Sequence, residues 1–227
     1  MIQNTTSSST TEPKARDYSG LAVIAANVFT IVLAFVENWD IRPLLIIYWA
    51  QSVIIGVSNF FRMVFLKDFS TEGLTSNGEP VPETEKGKWS TAIFFAIHYG
   101  FFHVVYAVFV FGAALGGDLD DKFGGTWEPG SLEQFAMVIA VAVFAVGHWF
   151  SFRTNVEADL KGRPNLGKMM FLPYARIIPM HLTIIFGFGF GSNRYALLLF
   201  LALKTGADWL MHVVEHQVLQ KPSKQTR

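Results

Sequence analysis

Apolar residues run along this chain in blocks far longer than an amphipathic surface helix or an alternating strand requires. Six blocks stand out, at residues 20–36, 44–61, 89–115, 132–152, 177–191 and 195–218. A bilayer core about 30 Å thick takes roughly 20 apolar residues in a helix. The pattern therefore predicts an all-α fold, a polytopic transmembrane bundle of six helices. Pro43 and Pro179 fall in the first turns of the second and fifth blocks, where a missing N–H does no harm. The fifth block is short for a crossing, and the lead-in from Pro173 to Pro179 is expected to supply an interfacial turn that completes it.

The polar stretches divide the chain further. Residues 1–18 are rich in Ser and Thr and lack a basic-plus-apolar signal pattern, so they read as a disordered cytoplasmic tail. Residues 19–218 form the six-helix transmembrane domain, and residues 219–227 a cytoplasmic C-terminal tail. The stretch 67–88 is polar and punctuated by Gly and Pro. It reads as a linker without identifiable chemistry. The loop 116–130 carries Asp118, Asp120 and Asp121 without the spacing of a calcium loop. Fourteen basic residues, from Lys14 to Arg227, fall on one side of the six spans, with Arg176 counted among them. Only Arg42, Lys122 and Arg194 fall on the other. An excess of Lys and Arg marks the cytoplasmic side, so both termini are expected in the cytoplasm.

Composition agrees with a membrane location. Of 227 residues, 51% are hydrophobic and 16% charged, below the roughly one quarter charged that soluble domains carry. Net charge is zero, which gives no electrostatic case for nucleic acid. The absence of cysteine excludes disulfides, thiolate metal sites, iron–sulfur clusters and cysteine nucleophiles.

The candidate chemistry lies inside the spans. All six histidines, His98, His103, His148, His181, His212 and His216, fall within them. An ionisable group inside a membrane is by default a functional-site hypothesis. Counting inward from the nearest basic residue at about 1.5 Å per residue, His148, His181 and His216 lie roughly 7 Å deep. On the same scale His98 and His212 lie roughly 14 Å deep, and Asp208 and His103 roughly 20 Å. The last block carries Lys204, Asp208, His212, Glu215 and His216 within one helical stripe. His212 and His216 stand one turn apart, so both can bind one ion. Asp208 serves as a ligand or as the acceptor that orients an imidazole, and Glu215 adds a second carboxylate. On the third block Tyr99 and Tyr106 accompany His98 and His103 as proton donors or hydrogen-bond partners. His148 and His181 also suit a bland role as interfacial side chains reaching toward water.

The stretch from His98 through Tyr99, Gly100, Phe101 and Phe102 to His103, with Arg176, Pro179 and His181 and with Lys204, Thr205 and Asp208, resembles an uncharacterised family. Its members are small prokaryotic polytopic membrane proteins. The resemblance implies a multi-pass place in a prokaryotic cell membrane and brings no activity. Progestin-receptor-like and alkaline-ceramidase-like proteins also carry a His-x3-His pair on their last helix, but have seven spans and a histidine in an early one. Membrane desaturases use eight or more histidines in boxes absent here.

Three functions suit a histidine-rich membrane bundle. The first is an integral-membrane metalloenzyme, with zinc or iron as one or two ions on the six histidines. Asp208, Glu215 and Tyr99 would be its catalytic groups, hydrolysing or oxidising a lipid-like or small apolar substrate. In this reading His212 and His216 centre one site completed by His98, His181 and His148, while His103 holds a second ion or a substrate group. The second is a haem-binding electron carrier using His98 with His181 or His148. The third is a proton or metal-ion transporter. Membrane lipid is the expected surrounding in each, and a homo-oligomer is compatible with all three.

Overall fold

Asp40 opens the first helix of the chain that is described. Its side chain accepts from the Arg42 backbone N–H at 2.8 Å and pairs with the Arg42 guanidinium, which satisfies donors that a helix start leaves free. The computed structural model describes residues 40–114, 128–190 and 197–207, with Val32, Tyr195 and Trp209. Its elements run α1 (Ile41–Phe65), β1 (Thr75–Ser76), β2 (Glu79–Pro80), α2 (Glu85–Ala114), α3 (Ser131–Lys161), α4 (Leu166–Phe171), α5 (Tyr174–Phe190) and α6 (Leu197–Ala207). Among the described residues three helices are long and apolar enough to cross a membrane: α1, α2 over Glu85–Gly112, and α3. They correspond to the second, third and fourth apolar blocks. The first block apart from Val32, and residues 210–218, lie outside the described residues.

The hub is α1. Ile41, Leu45, Tyr48, Ser52, Gly56, Asn59 and Met63 are buried, at steps of three or four that place them on one face. Both α2 and α3 pack against α1. α2 runs antiparallel to it. Lys88 Nζ donates to the Leu66 carbonyl at 2.7 Å, and farther along Trp49 Nε1 donates to the His103 carbonyl at 2.9 Å. α3 runs parallel to α1 and is pinned at one end, where Arg62 donates to both Asp159 carboxylate oxygens at 2.7 and 3.1 Å. No residue of α3 is buried.

The stretch between α1 and α2, read from sequence as a linker, is a folded cap. Asn77 and Gly78 have φ of 53° and 86°, the turn that closes a two-residue hairpin, here between β1 and β2. Thr71 Oγ1 donates to the Val81 carbonyl at 2.6 Å. The cap also binds the connection after α3. Ser70 N–H donates to the Pro164 carbonyl at 2.9 Å, and Leu166 N–H to the Ser70 carbonyl at 2.8 Å. Arg163 bridges Asp68 and Glu83.

From this cap the chain climbs into the bundle as α4, with Leu166, Gly167, Met169 and Met170 buried. Asn59 of α1 donates to the Met169 carbonyl at 2.9 Å. α5 then starts at Tyr174, deep among the helices. Tyr174 contacts Phe95 and Tyr99 of α2, with ring centroids 6.0 and 5.5 Å away. Two expectations change as a result. Pro179 stands inside α5 rather than in its first turn, and Thr183 Oγ1 donates to its carbonyl at 2.7 Å. Arg176 does not stand level with Arg62 at the end of α1, because its guanidinium lies over Tyr48, fourteen residues before Arg62 on α1.

Candidate functional site

The centre of the described polar chemistry is a three-residue network between α1 and α2. His103 is buried at 5% exposure and Ser52 at 1%. His103 Nδ1 lies 2.9 Å from the Tyr99 carbonyl, which can only accept, so Nδ1 carries the proton. In the neutral ring Nε2 is then the acceptor, and the Ser52 hydroxyl donates to it at 3.0 Å. The single Tyr99 hydroxyl proton is then shared between Ser52 Oγ at 2.8 Å and the Ser52 carbonyl at 3.0 Å. Every polar atom of the network is satisfied, as a buried group requires. A ligand at His103 would have to displace Ser52.

Two further histidines pair with tyrosines across α2 and α5. His98 Nδ1 of α2 meets Tyr174 Oη of α5 at 2.8 Å, and His181 Nδ1 of α5 meets Tyr106 Oη of α2 at 3.0 Å. The two bonds share a direction along the chain, so α2 and α5 run parallel. Phe102 packs against both imidazoles, with ring centroids 5.1 and 6.2 Å away.

These groups form a series. Tyr174 lies 5.5 Å from Tyr99, Tyr99 stacks on His103 at 4.3 Å, and His103 lies 6.1 Å from Tyr106 between ring centroids. From His98 to His181 the order is imidazole, phenol, phenol, imidazole with its serine, phenol, imidazole. Measured along α2 from Lys88, the rungs stand roughly 15 Å deep at His98, 22 Å at His103 and 27 Å at Tyr106 and its partner His181. The matching depths expected for the histidines do not hold for His181. Its helix starts inside the bundle, so counting from Arg176 placed it at the wrong end.

His148 stands apart on α3, stacked on Phe144 at 5.6 Å and level with neither end of the bundle. Near it Arg176 extends over the rings of Tyr48 and Phe144, at 5.3 and 5.9 Å from their centroids. Among the described residues no three His, Asp or Glu side chains come together closely enough to hold one metal ion. His98 and His181 each pack on Phe102 and each bonds a different tyrosine. Asp208, His212, Glu215 and His216 lie outside the described residues.

Sequence reasoning missed Ser52 and Tyr174. The signal for Ser52 was present: Ser52, Gly56 and Asn59 are small or polar residues on the apolar α1 stripe, the composition of a close helix contact. A Cβ on Gly56 would collide with the Tyr99 ring. Tyr174 had no such signal, since its role depends on how deep α5 begins.

No curated protein and no solved structure matches the chain. A family model does match, over residues 9–225, a stretch that holds the ladder, Arg176 and the last histidine pair. The chain belongs to this family, described as one of unknown function and named DUF6498.

Proposed function

We propose that the chain is a six-span membrane protein of the prokaryotic cell membrane, with both termini cytoplasmic, that moves protons through the interior of α1, α2 and α5. The topology draws support from helix directions. α1 and α3 run parallel, as do α2 and α5, which is what alternate crossings produce. Reporter fusions at Asp120 and Lys221 should report opposite sides of the membrane.

One observation carries the functional reading: the succession from His98 through Tyr174, Tyr99, Ser52, His103 and Tyr106 to His181. Each side chain in it can both give and take a proton, and the rungs stand at successive depths instead of one. Intramembrane imidazoles and hydroxyls so placed suit a proton relay. A metal cluster would need them gathered at a single level.

The test is proton flux. Protein in lipid vesicles containing a pH-sensitive dye is driven by a potassium diffusion potential. The intact chain should acidify or alkalinise the lumen with the sign of the potential, and Tyr99→Phe and His103→Gln should each slow this at least tenfold. Flux equal to that of protein-free vesicles, or unaffected by both substitutions, would refute the reading.

A metal-dependent enzyme acting on a lipid-like or small apolar substrate keeps one specific support. His98 Nδ1 is held by Tyr174, and a ligand imidazole is commonly oriented through its second nitrogen in this way. That reading now centres on His212 and His216 with Asp208 and Glu215. Metal analysis of chelator-free protein checks it directly. Zinc or iron bound to the intact chain and lost from His212→Ala would favour it over the relay.

A further inference from the structure

Arg176 has an environment that the ladder does not explain. Its guanidinium lies over Tyr48 of α1 and Phe144 of α3. Its Nε is buried without a hydrogen-bond partner. No carboxylate pairs with it among the described residues. The charged residues that do pair among the described residues, Arg42 with Asp40, Arg62 with Asp159, Lys88 with Glu85 and Arg163 with Asp68 and Glu83, all stand at helix ends or in the cap.

The depth is unusual for a cation. Tyr48 lies six residues from Arg42 and fourteen from Arg62 along α1, so the guanidinium sits roughly 9 Å below one end of the helix and 21 Å from the other. A charge held there is costly unless something answers it. Aromatic faces supply part of that answer. They leave the donors of the planar fork unused, and that fork matches an oxyanion of two equivalent oxygens.

We propose that Arg176 anchors a binding site for a long-chain carboxylic acid, with the carboxylate on the guanidinium and the acyl chain along the apolar helix faces beside it. The shared chemistry is a singly charged oxyanion on an apolar tail, which a phospholipid phosphodiester also offers. Depth favours the free acid. A phospholipid headgroup stays at the interface, whereas a carboxyl group is small, and in its protonated form it can enter the apolar interior.

The proposal is independent of proton movement, because its test is equilibrium binding. Purified protein in uncharged detergent is titrated with radiolabelled palmitate, and hexadecanol and phosphatidylglycerol serve as competitors. The intact chain should bind palmitate at least tenfold more tightly than it binds hexadecanol, and Arg176→Gln should abolish that preference. Arg176→Lys, which keeps the charge and loses the fork, should retain part of it. Equal binding of acid and alcohol, or a preference that survives Arg176→Gln, would overturn the proposal. So would competition by phosphatidylglycerol stronger than by unlabelled palmitate, which would assign the site to a lipid headgroup. Thermal unfolding of each variant in the same detergent separates lost affinity from lost structure: a preference lost only in unfolded protein also counts against the site.

Discussion

Gly56→Ala is the substitution whose sign depends most directly on the packing described here. In an open helical position, replacing Gly by Ala stabilises by about 0.5–1 kcal/mol, because the unfolded chain loses freedom. At Gly56 the added methyl meets the Tyr99 ring at Cε1, Cδ1 and Cζ. That ring cannot swing aside cheaply. It is 4% exposed, its hydroxyl is fixed by Ser52, and its face is stacked on His103. Overpacking a closed contact costs about 1–3 kcal/mol, and displacing the phenol weakens interhelical hydrogen bonds worth about 0.6 kcal/mol each in a membrane. The penalty exceeds the helix gain, and a net loss of about 1–2 kcal/mol follows. Gly100→Ala and Gly147→Ala provide the controls. Both sites are helical, and nothing lies within 4 Å of an added Cβ, so both should be neutral or stabilising. Denaturant unfolding in mixed detergent micelles measures all three. The cycle closes with Gly56→Ala combined with Tyr99→Ala: removing the ring opens the space, so the two losses should not add. A Gly56→Ala protein as stable as the Gly100→Ala control would refute the close α1–α2 approach, and with it the geometry of the Ser52 network.

Three other outcomes test separate parts of the structure. Ser52→Ala leaves both His103 Nε2 and Tyr99 Oη without the bridging hydroxyl and should cost about 1–3 kcal/mol in the same unfolding assay, with Ser52→Thr recovering part of it. The Arg62–Asp159 pair is partly exposed, at 24% and 13%, so a double-mutant cycle with Arg62→Met and Asp159→Asn should give a coupling of no more than about 1 kcal/mol, shrinking with salt. Gly78→Val forces a branched side chain into φ of 86° at a cost of about 1–3 kcal/mol. Its local signature should be faster hydrogen exchange at Val81, whose N–H donates to the Leu74 carbonyl at 3.0 Å, with no change at residues of α1.

The apolar blocks located α1, α2 and α3 because a crossing helix needs little beyond length and hydropathy. Their true ends extend farther, α3 to Lys161, since polar residues continue a helix once it leaves the apolar layer. The cap was less legible. Asn77-Gly78 is a strong hairpin signal, but strands of two residues give no alternation to read, and the bonds of Ser70 to Pro164 and Leu166 join segments almost a hundred residues apart. Within the site, His98, His103 and Tyr99 were identified as polar chemistry from sequence, whereas their partners were not. Pairing depends on relative depth, and depth was counted from basic residues taken as boundary anchors. Arg62 and Lys88 do stand near helix ends, in the last turn of α1 and the first turn of α2. The rule fails at Arg176, where the six-residue α4 inserts a climb that no periodicity announces.

The same residues that close the α1–α2 contact also place the polar groups, and this limits which substitutions can separate function from folding. Ser52 is small enough to sit on the seam that Gly56 opens, and its hydroxyl reaches His103 only because the backbones approach there. His103→Ala would leave a cavity beside Tyr99 and an unpaired Ser52 hydroxyl, so a loss of flux in that variant would carry little information. Glutamine fills much of the imidazole volume and offers an amide to both Ser52 and the Tyr99 carbonyl, yet it does not titrate. His103→Gln should therefore keep unfolding stability within about 1 kcal/mol while stopping proton movement. Retained flux in a stable His103→Gln protein would mean that the buried histidine holds the helices together and relays nothing.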